Sequence, residues 1–576
     1  MTASTTGPRR VHDEFGREER IAYFSMEIAL ENRIRTYSGG LGCLAGDALR
    51  SAADIGLPLI GVTLVSRAGY FRQAVDANGR QVEQPDPWDP AEFASALNAT
   101  VAVQINGRQV WIRGWLYVVE GRFGGRVPVL LLDADLAQNH PDDRVITHYL
   151  YGDGEEYRLK QEIVLGIAGV RLLHALGFRI RKYHMNEGHS ALLALELLNR
   201  FRYAAEDVRP DETPYDVPLV RKLCNFTTHT PVEAGHDKFS YALIDRMLDE
   251  GIETPLLQRF AGAGALNMTQ LALNLSQYVN GVAIRHATLS RSMFPGHQVH
   301  AITNGVHTGR WTAPSFARLY DQHVAGWSHE PELLVRADRI TDELIVRAHE
   351  ECKRDLIALV KRTTGKELDA AVPIIGFGRR MTSYKRPGLL FSDPERLRRI
   401  ARRWPFQVVI AGKAHPADGG GKDLIATLHR HKGALSDAVP MVFLPNYDMD
   451  VGRTMVAGSD VWLNTPLRPL EASGTSGMKA ACNGVPQLSV LDGWWVEGCI
   501  EGVTGWAIGD ATETANGADA ASLYDKLEST VLPLWYEASG RSASWAAVMK
   551  GAISKSASYF HSHRMMRRYA TEVYAR

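Results

Sequence analysis

PIIGFGRRMTSYKRP, residues 373–387, changes character halfway along. It opens as an apolar run, continuous rather than alternating, and then delivers Arg379, Arg380, Lys385 and Arg386 with no acid among them. A run apolar at every position suits a strand covered on both faces, as in a parallel sheet flanked by helices. Ligands of such sheets bind beyond the carboxyl ends of the strands. Cations placed there are candidates for an anion site, because guanidinium forks bind phosphate oxygens bidentately and lysine adds a compact charge. A solvated charged face is the competing reading.

The same pattern recurs on both sides. QVVIAGK (407–413), PMVFLP (440–445), VWLN (461–464) and PQLSV (486–490) follow it; AYFSMEI (22–28), PLIGVTLV (58–65), VPVLLLDADL (127–136) and VRKLCNFTTHTP (220–231) precede it. Intervening segments such as DLIATLHRH (423–431) are long enough for crossover helices, and GGG (419–421) reads as a loop. Two successive β/α sets predict an α/β protein with two doubly wound domains. Pro314, Gly326 and Pro331 interrupt the patterns between Trp311 and Asp342, which sets the boundary at 325/326, with a helix from Asp342 to Arg362 opening the second domain. The tail YFHSHRMMRRYATEVYAR (559–576) reads as a basic amphipathic helix, expected to pack back on the N-terminal domain.

Bulk composition agrees. A chain of 576 residues needs more than one core. Sixty-five Lys plus Arg balance 65 Asp plus Glu, so no global field draws it to nucleic acid or membrane. Five scattered cysteines without a C-x-x-C pair argue against a zinc knuckle or disulfide framework and suit a reducing compartment. The N-terminus has no apolar leader core, and no run reaches the ~18 apolar residues of a membrane span. A cytoplasmic protein is expected, with Met1–Pro8 disordered.

EASGTSGMKAACNG (471–484) carries the most specific chemistry. Gly474 and Gly477 let backbone approach a ligand, while Thr475 and Ser476 can cap the following helix, whose N–H groups form an anion seat. Lys479 falls in the first turn, where an ammonium opposes the macrodipole. A Schiff-base lysine escapes part of that penalty, and the seat beside it can hold a cofactor phosphate; pyridoxal phosphate needs both. A Gly-rich turn with a snorkelling lysine reads equally well from spacing alone. In YSGGLGCLAGDALR (37–50), Gly39-Gly40 is a second anion turn or simply a turn. His184, Glu187 and His189 of HMNEGH lack the i, i+4 zincin spacing, so no metal is expected. His229 of THTP (228–231) and Asn304 of ITNGVH (302–307) end apolar runs and suit either a sugar or loop backbone, and AGKAHP (411–416) is as ambiguous. No Ser-His-Asp or Cys-His arrangement can be argued.

Taken together, these segments resemble the α-glucan phosphorylases of glycogen, starch and maltodextrin, in the same order from SMEI (25–28) past LDGWWVEG (491–498). The resemblance implies the GT-B architecture, two Rossmann-like domains facing a central cleft. It implies pyridoxal 5'-phosphate on Lys479, with the cofactor phosphate near Thr475, Ser476, Gly477 and Arg379, and Tyr447 and Trp311 flanking the ring. Gly39, Gly40, Arg380 and Lys385 would bind substrate phosphate; His229, Asn304, Glu471, Ser473, Gly474 and Glu187 would hold the glucosyl unit. Lys479, Arg379, Arg380 and Lys385 would serve catalysis, namely reversible phosphorolysis of α-1,4-glucan or maltodextrin ends to α-glucose 1-phosphate with retention. Asp153 of LYGDGEEYRLKQE (150–162) would inherit an acidic gate residue. Arg379 stands where a lysine is common, and the shortened regions include dimer contacts, so monomer and homodimer stay open. Two alternatives remain. A nucleotide-sugar glucosyltransferase of glycogen synthase type would carry a glutamate where Lys479 stands and a lysine before the Gly-Gly turn. A non-catalytic glucan-binding relative would be expected to have lost one of these positions.

Overall fold

A computed structural model describes the chain except residues 1–10, 12–13, 17, 153, 209–211, 233–234, 249–251, 511–515 and 538–541. The expectations for Met1–Pro8 and Asp153 fall outside the described residues.

The run PIIGFG becomes the buried strand Ile374–Gly378, third of six parallel strands. Across that sheet the order is Met441–Leu444, Gln407–Ala411, Ile374–Gly378, Val461–Asn464, Gln487–Val490, Gly505–Ile508. In chain order this is 3-2-1-4-5-6, doubly wound, and the order reverses between Ile374–Gly378 and Val461–Asn464. The loops leaving those two strands are the cation loop and the Lys479 loop.

A nine-stranded sheet built from residues 20 to 301 repeats the logic. Arg20–Phe24 pairs in parallel with Leu59–Leu64 on one side and with Ile180–Asn186 on the other, so its switch point lies between Arg20–Phe24 and Ile180–Asn186. The loops leaving these strands carry Gly39-Gly40 and Glu187. The mixed α/β, GT-B architecture expected from the sequence is thus present.

Three local expectations are corrected. The segment SMEI follows the strand Arg20–Phe24 rather than extending it. GGG (419–421) is not a loop but opens the helix Gly419–Ala434, because the Asp418 carboxylate accepts from the Gly421 N–H at 2.8 Å and caps it. The first sheet is not wholly parallel: Arg108–Glu120 and Ser95–Ile105 join its edge antiparallel through Asn106-Gly107, both at positive φ, a two-residue hairpin turn.

The expected boundary at 325/326 falls within the connection from Ala301, the end of the first sheet, to Ile374, where the second begins. In that connection Trp311, Phe316, Tyr320 and Trp327 pack with the core of the six-stranded sheet, ahead of the helix Asp342–Thr364. The tail helix, Ser562–Arg568 continuing through Tyr574, inserts Met565, Met566, Tyr569 and Tyr574 among Ile21, Tyr23 and Leu59 of the first sheet.

Candidate active site

The two switch points meet. Arg380, exposed at the end of its strand, donates weakly to the Ser38 hydroxyl of the other half at 3.4 Å. A Cβ on Gly39 would lie 3.2 Å from Arg380 Nη2, so any larger residue there would crowd the guanidinium. Gly39 caps the helix Gly40–Asp54 without any side-chain hydrogen bond, leaving its first-turn N–H groups uncapped. The loop is held from beneath by Glu27, which is fully buried. Its Oε2 accepts from Ser38 N–H at 2.5 Å, Ser38 Oγ at 3.2 Å and Gly39 N–H at 3.1 Å, while Oε1 accepts from Tyr151 OH at 3.1 Å.

The four cations separate into two kinds. Arg379 Nη2 donates to Glu471 Oε2 at 2.5 Å, and Lys385 Nζ lies 2.8 Å from both Glu471 oxygens. Arg386 turns away to Asp519 at 2.6 Å. Burial pushes the Glu471 carboxyl up, but Arg379 and Lys385 outweigh it and hold the group below the ordinary carboxylate range. Arg380 forms no ion pair among the described residues. The acids missing from the 373–387 stretch are therefore supplied by other segments, and one guanidinium is left for a ligand.

Lys479 lies in the helix Ser476–Ala481, nine-tenths buried, with Nζ 3.8 Å from the Trp311 ring centroid. The indole N–H donates to Asp47 at 2.7 Å, and Asp47 also accepts from the His307 N–H at 3.2 Å and pairs with Arg310 at 3.3 Å. The side-chain caps expected of Thr475 and Ser476 are absent. Thr475 stands at the N-cap without a side-chain bond, and the Ser476 hydroxyl accepts instead at 3.0 Å from the indole of Trp462, in the strand Val461–Asn464. The helix N–H groups stay uncapped by side chains. Gly477 leaves room for the Gln487 amide, because a Cβ there would sit 1.3 Å from Gln487 Oε1. Tyr447 packs its hydroxyl where a side chain on Gly378 would press at 3.0 Å, and burial raises its pKa.

On the glucosyl side, His229 Nε2 lies 2.7 Å from Asn186 Oδ1, and burial pushes the imidazole pKa down to about 3, so the ring is neutral. Glu187, at φ +75°, accepts from the backbone N–H groups of Gly188 at 3.0 Å and His229 at 2.8 Å, and from Thr230 Oγ1 at 2.9 Å. It thereby sets the His229 turn. Gly474, at φ +82°, folds the chain back over Glu471. Several site atoms are buried without a hydrogen-bond partner among the described residues: Arg379 Nη1, Asn304 Oδ1, Ser473 Oγ and Thr382 Oγ1. Buried polar atoms are normally paired. Such a set, beside a nine-tenths buried lysine and uncapped helix N–H groups, fits a polar, anionic group such as pyridoxal phosphate together with a sugar.

His184, Glu187 and His189 do not converge: His184 is held between Tyr574 and Thr227 at 2.7 and 2.8 Å, whereas His189 faces Asp237 at 3.6 Å. Among the described residues, the group with metal-ligand spacing is Asp54, His307 and His563. His307 Nδ1 accepts from the Arg310 N–H at 3.1 Å, which leaves the ring proton on Nε2 to donate to Asp54 at 2.9 Å. His563 Nε2, on the tail helix, lies 3.4 Å from the same Asp54 carboxylate. Glu27 and Asp47, central to the site, were not foreseen. Nothing local marks them, since each acts on a segment distant in sequence or on another element.

Comparison with known proteins agrees with this geometry. The family model described as carbohydrate phosphorylase matches residues 26–112 and 256–506. The chain is 39% identical to the maltodextrin phosphorylase of Thermococcus litoralis over 97% of its own length and 71% of the relative's. It is 37% identical to a glycogen phosphorylase of Mycobacterium tuberculosis, covering 96% of this chain and 70% of that one. It is 34% identical to the glycogen phosphorylase of Aquifex aeolicus, covering 96% and 86%. Two switch points joined by Arg380, a lysine seated on Trp311 and this extent of similarity lead to one conclusion: the chain belongs to the carbohydrate phosphorylase family.

Proposed function

We propose that the chain is an α-glucan phosphorylase, working in the cytoplasm, that cleaves the non-reducing end of an α-1,4-glucan or maltodextrin with inorganic phosphate and releases α-glucose 1-phosphate with retention. The observation that carries the reading is the meeting of Arg380 with the Gly39-Gly40 turn, whose helix Gly40–Asp54 holds through Asp47 the Trp311 ring against Lys479, together with buried polar atoms that have no partner among the described residues. On this reading Lys479 Nζ would hold pyridoxal phosphate, the Thr475, Ser476 and Gly477 N–H groups and Arg379 would hold its phosphate, and Tyr447 and Trp311 would flank its ring. When bound, that group supplies a phosphate with a second pKa of about 6, able to give and take a proton near neutrality.

The chain's own residues do the rest. Arg380 and the Gly39-Gly40 N–H groups bind substrate phosphate, and Lys385 adds charge from its seat on Glu471. These cations lower the Coulomb cost of two adjacent phosphates. His229, Asn304, Ser473, Gly474 and Glu471 orient the glucosyl unit, with Glu187 holding the His229 turn. The substrate phosphate gives its proton to the glycosidic oxygen as the C1–O bond breaks. One of its oxygens then bonds to C1 on the same face. The direct test is incubation of the purified protein with maltodextrin and phosphate. Formation of glucose 1-phosphate is expected, and its absence from a cofactor-loaded preparation would overturn the reading.

A further inference from the structure

Tyr447 sits in the loop between the strand Met441–Leu444 and the helix Met449–Gly458 of the six-stranded half, yet both flanks of that loop are held from the other half. On the near flank is Gln73, 3% exposed, in a short hairpin formed by Arg72–Val75 and Gln81–Gln84. Its N–H donates to Asn446 Oδ1 at 3.1 Å, and its Oε1 accepts from the Asn446 N–H at 2.9 Å. Asn446 is at φ +55°, a left-handed conformation that asparagine tolerates better than most residues. Beyond the tyrosine, Tyr37 OH accepts from the Met449 N–H at 3.0 Å and donates to Asn32 Oδ1 at 3.1 Å. Asn32 Nδ2 in turn donates to Asp448 at 3.1 Å and Asp450 at 2.8 Å.

The same hairpin reaches the Arg379 segment. Gln73 Nε2 donates to Gly412 O at 2.8 Å, and Gln81 exchanges two bonds with the Ala414 backbone, at 2.9 and 3.0 Å. That strand-end loop accepts from the Arg379 and Met381 N–H groups through Ala411 O at 3.2 Å and Lys413 O at 2.9 Å. These amide side chains are buried and paired in a fixed geometry, which rigidifies what they join.

We propose that Gln73 and Tyr37 are positioning residues for Tyr447 and Arg379, so that the lysine site is completed only when the hairpin and the Asn32–Tyr37 segment dock from the other half. The inference rests on the phosphorylase reading for its kinetic consequence, but not for its geometry. Neither residue reaches the reacting atoms; each acts through the loop it holds.

The test uses the full-length, cofactor-loaded protein with Tyr37→Phe, which removes only the hydroxyl, and Gln73→Ala. Hydrogen exchange resolved to peptides should quicken several-fold at residues 445–451 in both variants, and at 411–414 in Gln73→Ala alone. Loss of these side-chain hydrogen bonds, two in Tyr37→Phe and three in Gln73→Ala, predicts a fall in kcat of about five-fold or more with phosphate KM unchanged, and faster release of the cofactor followed by its absorbance. Merely lowered stability would instead speed exchange throughout the second sheet. Wild-type exchange at 445–451 together with wild-type kcat in both variants would overturn the proposal. A wild-type protein that makes no glucose 1-phosphate would overturn the functional reading instead, and the exchange measurement would still decide whether the clamp exists.

Discussion

The Lys479 ammonium lies over the face of Trp311, 3.8 Å from the ring centroid, while the indole N–H is tied to Asp47 at 2.7 Å. Lys479 falls in the last turn of the helix Ser476–Ala481 rather than in the first turn expected from the sequence, so the macrodipole does not oppose it, and the aromatic face instead offsets part of the cost of burying the ammonium. The lysine is thus held in place at a position where a charged side chain has little intrinsic reason to sit.

Lys479→Ala should lose cofactor and activity together. The wild-type protein should absorb in the near ultraviolet, and borohydride should trap the cofactor on Lys479, read by peptide mass. A colourless wild-type preparation with full activity would contradict the assignment.

Arg380 and Lys385 should differ in their effect on stability, because among the described residues Arg380 has no carboxylate partner whereas Lys385 pairs with Glu471. Arg380→Ala should raise phosphate KM and lower kcat/KM by about ten- to a hundredfold, as expected for charge-assisted contacts of roughly 1.5–3 kcal/mol. Lys385→Ala should lose a similar factor and also free one side of Glu471, lowering Tm. Unchanged phosphate kinetics in both variants would make the cluster a solvated charged face.

Much of this site was legible because strand-end loops announce themselves. Continuous apolar runs located Ile374–Gly378 and Val461–Asn464, and the connections leaving them, which carry Arg380 and lead to the Lys479 helix, are those the fold brings to the switch point. Glu27 was not legible: its role is to hold N–H groups eleven and twelve residues away, and that separation follows from no local period. Asp47 reads as any polar residue in a helix, although it anchors both Trp311 and Arg310. The hairpin Ser95–Glu120 carries a local signal in Asn106-Gly107, which a reading built on continuous apolar runs passes over. The cap at Asp418 is likewise local, and glycines after it mask the helix they begin.

Glu27→Gln should weaken phosphate use without releasing the cofactor. The amide keeps one acceptor but loses the charge that gathers Ser38 and Gly39 N–H groups, so kcat/KM for phosphate should fall about tenfold or more. Equal losses in cofactor content would instead place Glu27's role in general stability.

Asp492 gives a pH signature. Burial raises its carboxyl to about 6, although it accepts from the Glu471 and Gly493 N–H groups and faces Arg285 at 3.3 Å. A carboxyl whose folded pKa exceeds its unfolded one binds more protons when folded between about 4 and 6. Its contribution therefore favours folding at low pH and declines as pH rises through that window, by at most about 1.4 kcal/mol per unit. Relative to Asp492→Asn, the wild-type Tm should fall progressively from pH 4 to pH 6 and then run parallel. A difference independent of pH would remove the raised pKa from the account.

Gly477 and Gln487 should be coupled. A methyl at Gly477 would meet Gln487 Oε1 at 1.3 Å, and the Gln487 amide has no hydrogen-bond partner among the described residues to hold it there. Gly477→Ala should therefore displace the amide or the helix Ser476–Ala481, at a cost of about 1–3 kcal/mol typical of overpacking, and move Lys479 with it. Gln487→Ala alone opens space without burdening the helix. The double variant should recover most of the stability and cofactor retention lost in Gly477→Ala, giving a non-additive cycle measurable by thermal denaturation and absorbance. Simple additivity would mean that Gly477 is needed for its backbone freedom rather than for the room it leaves Gln487.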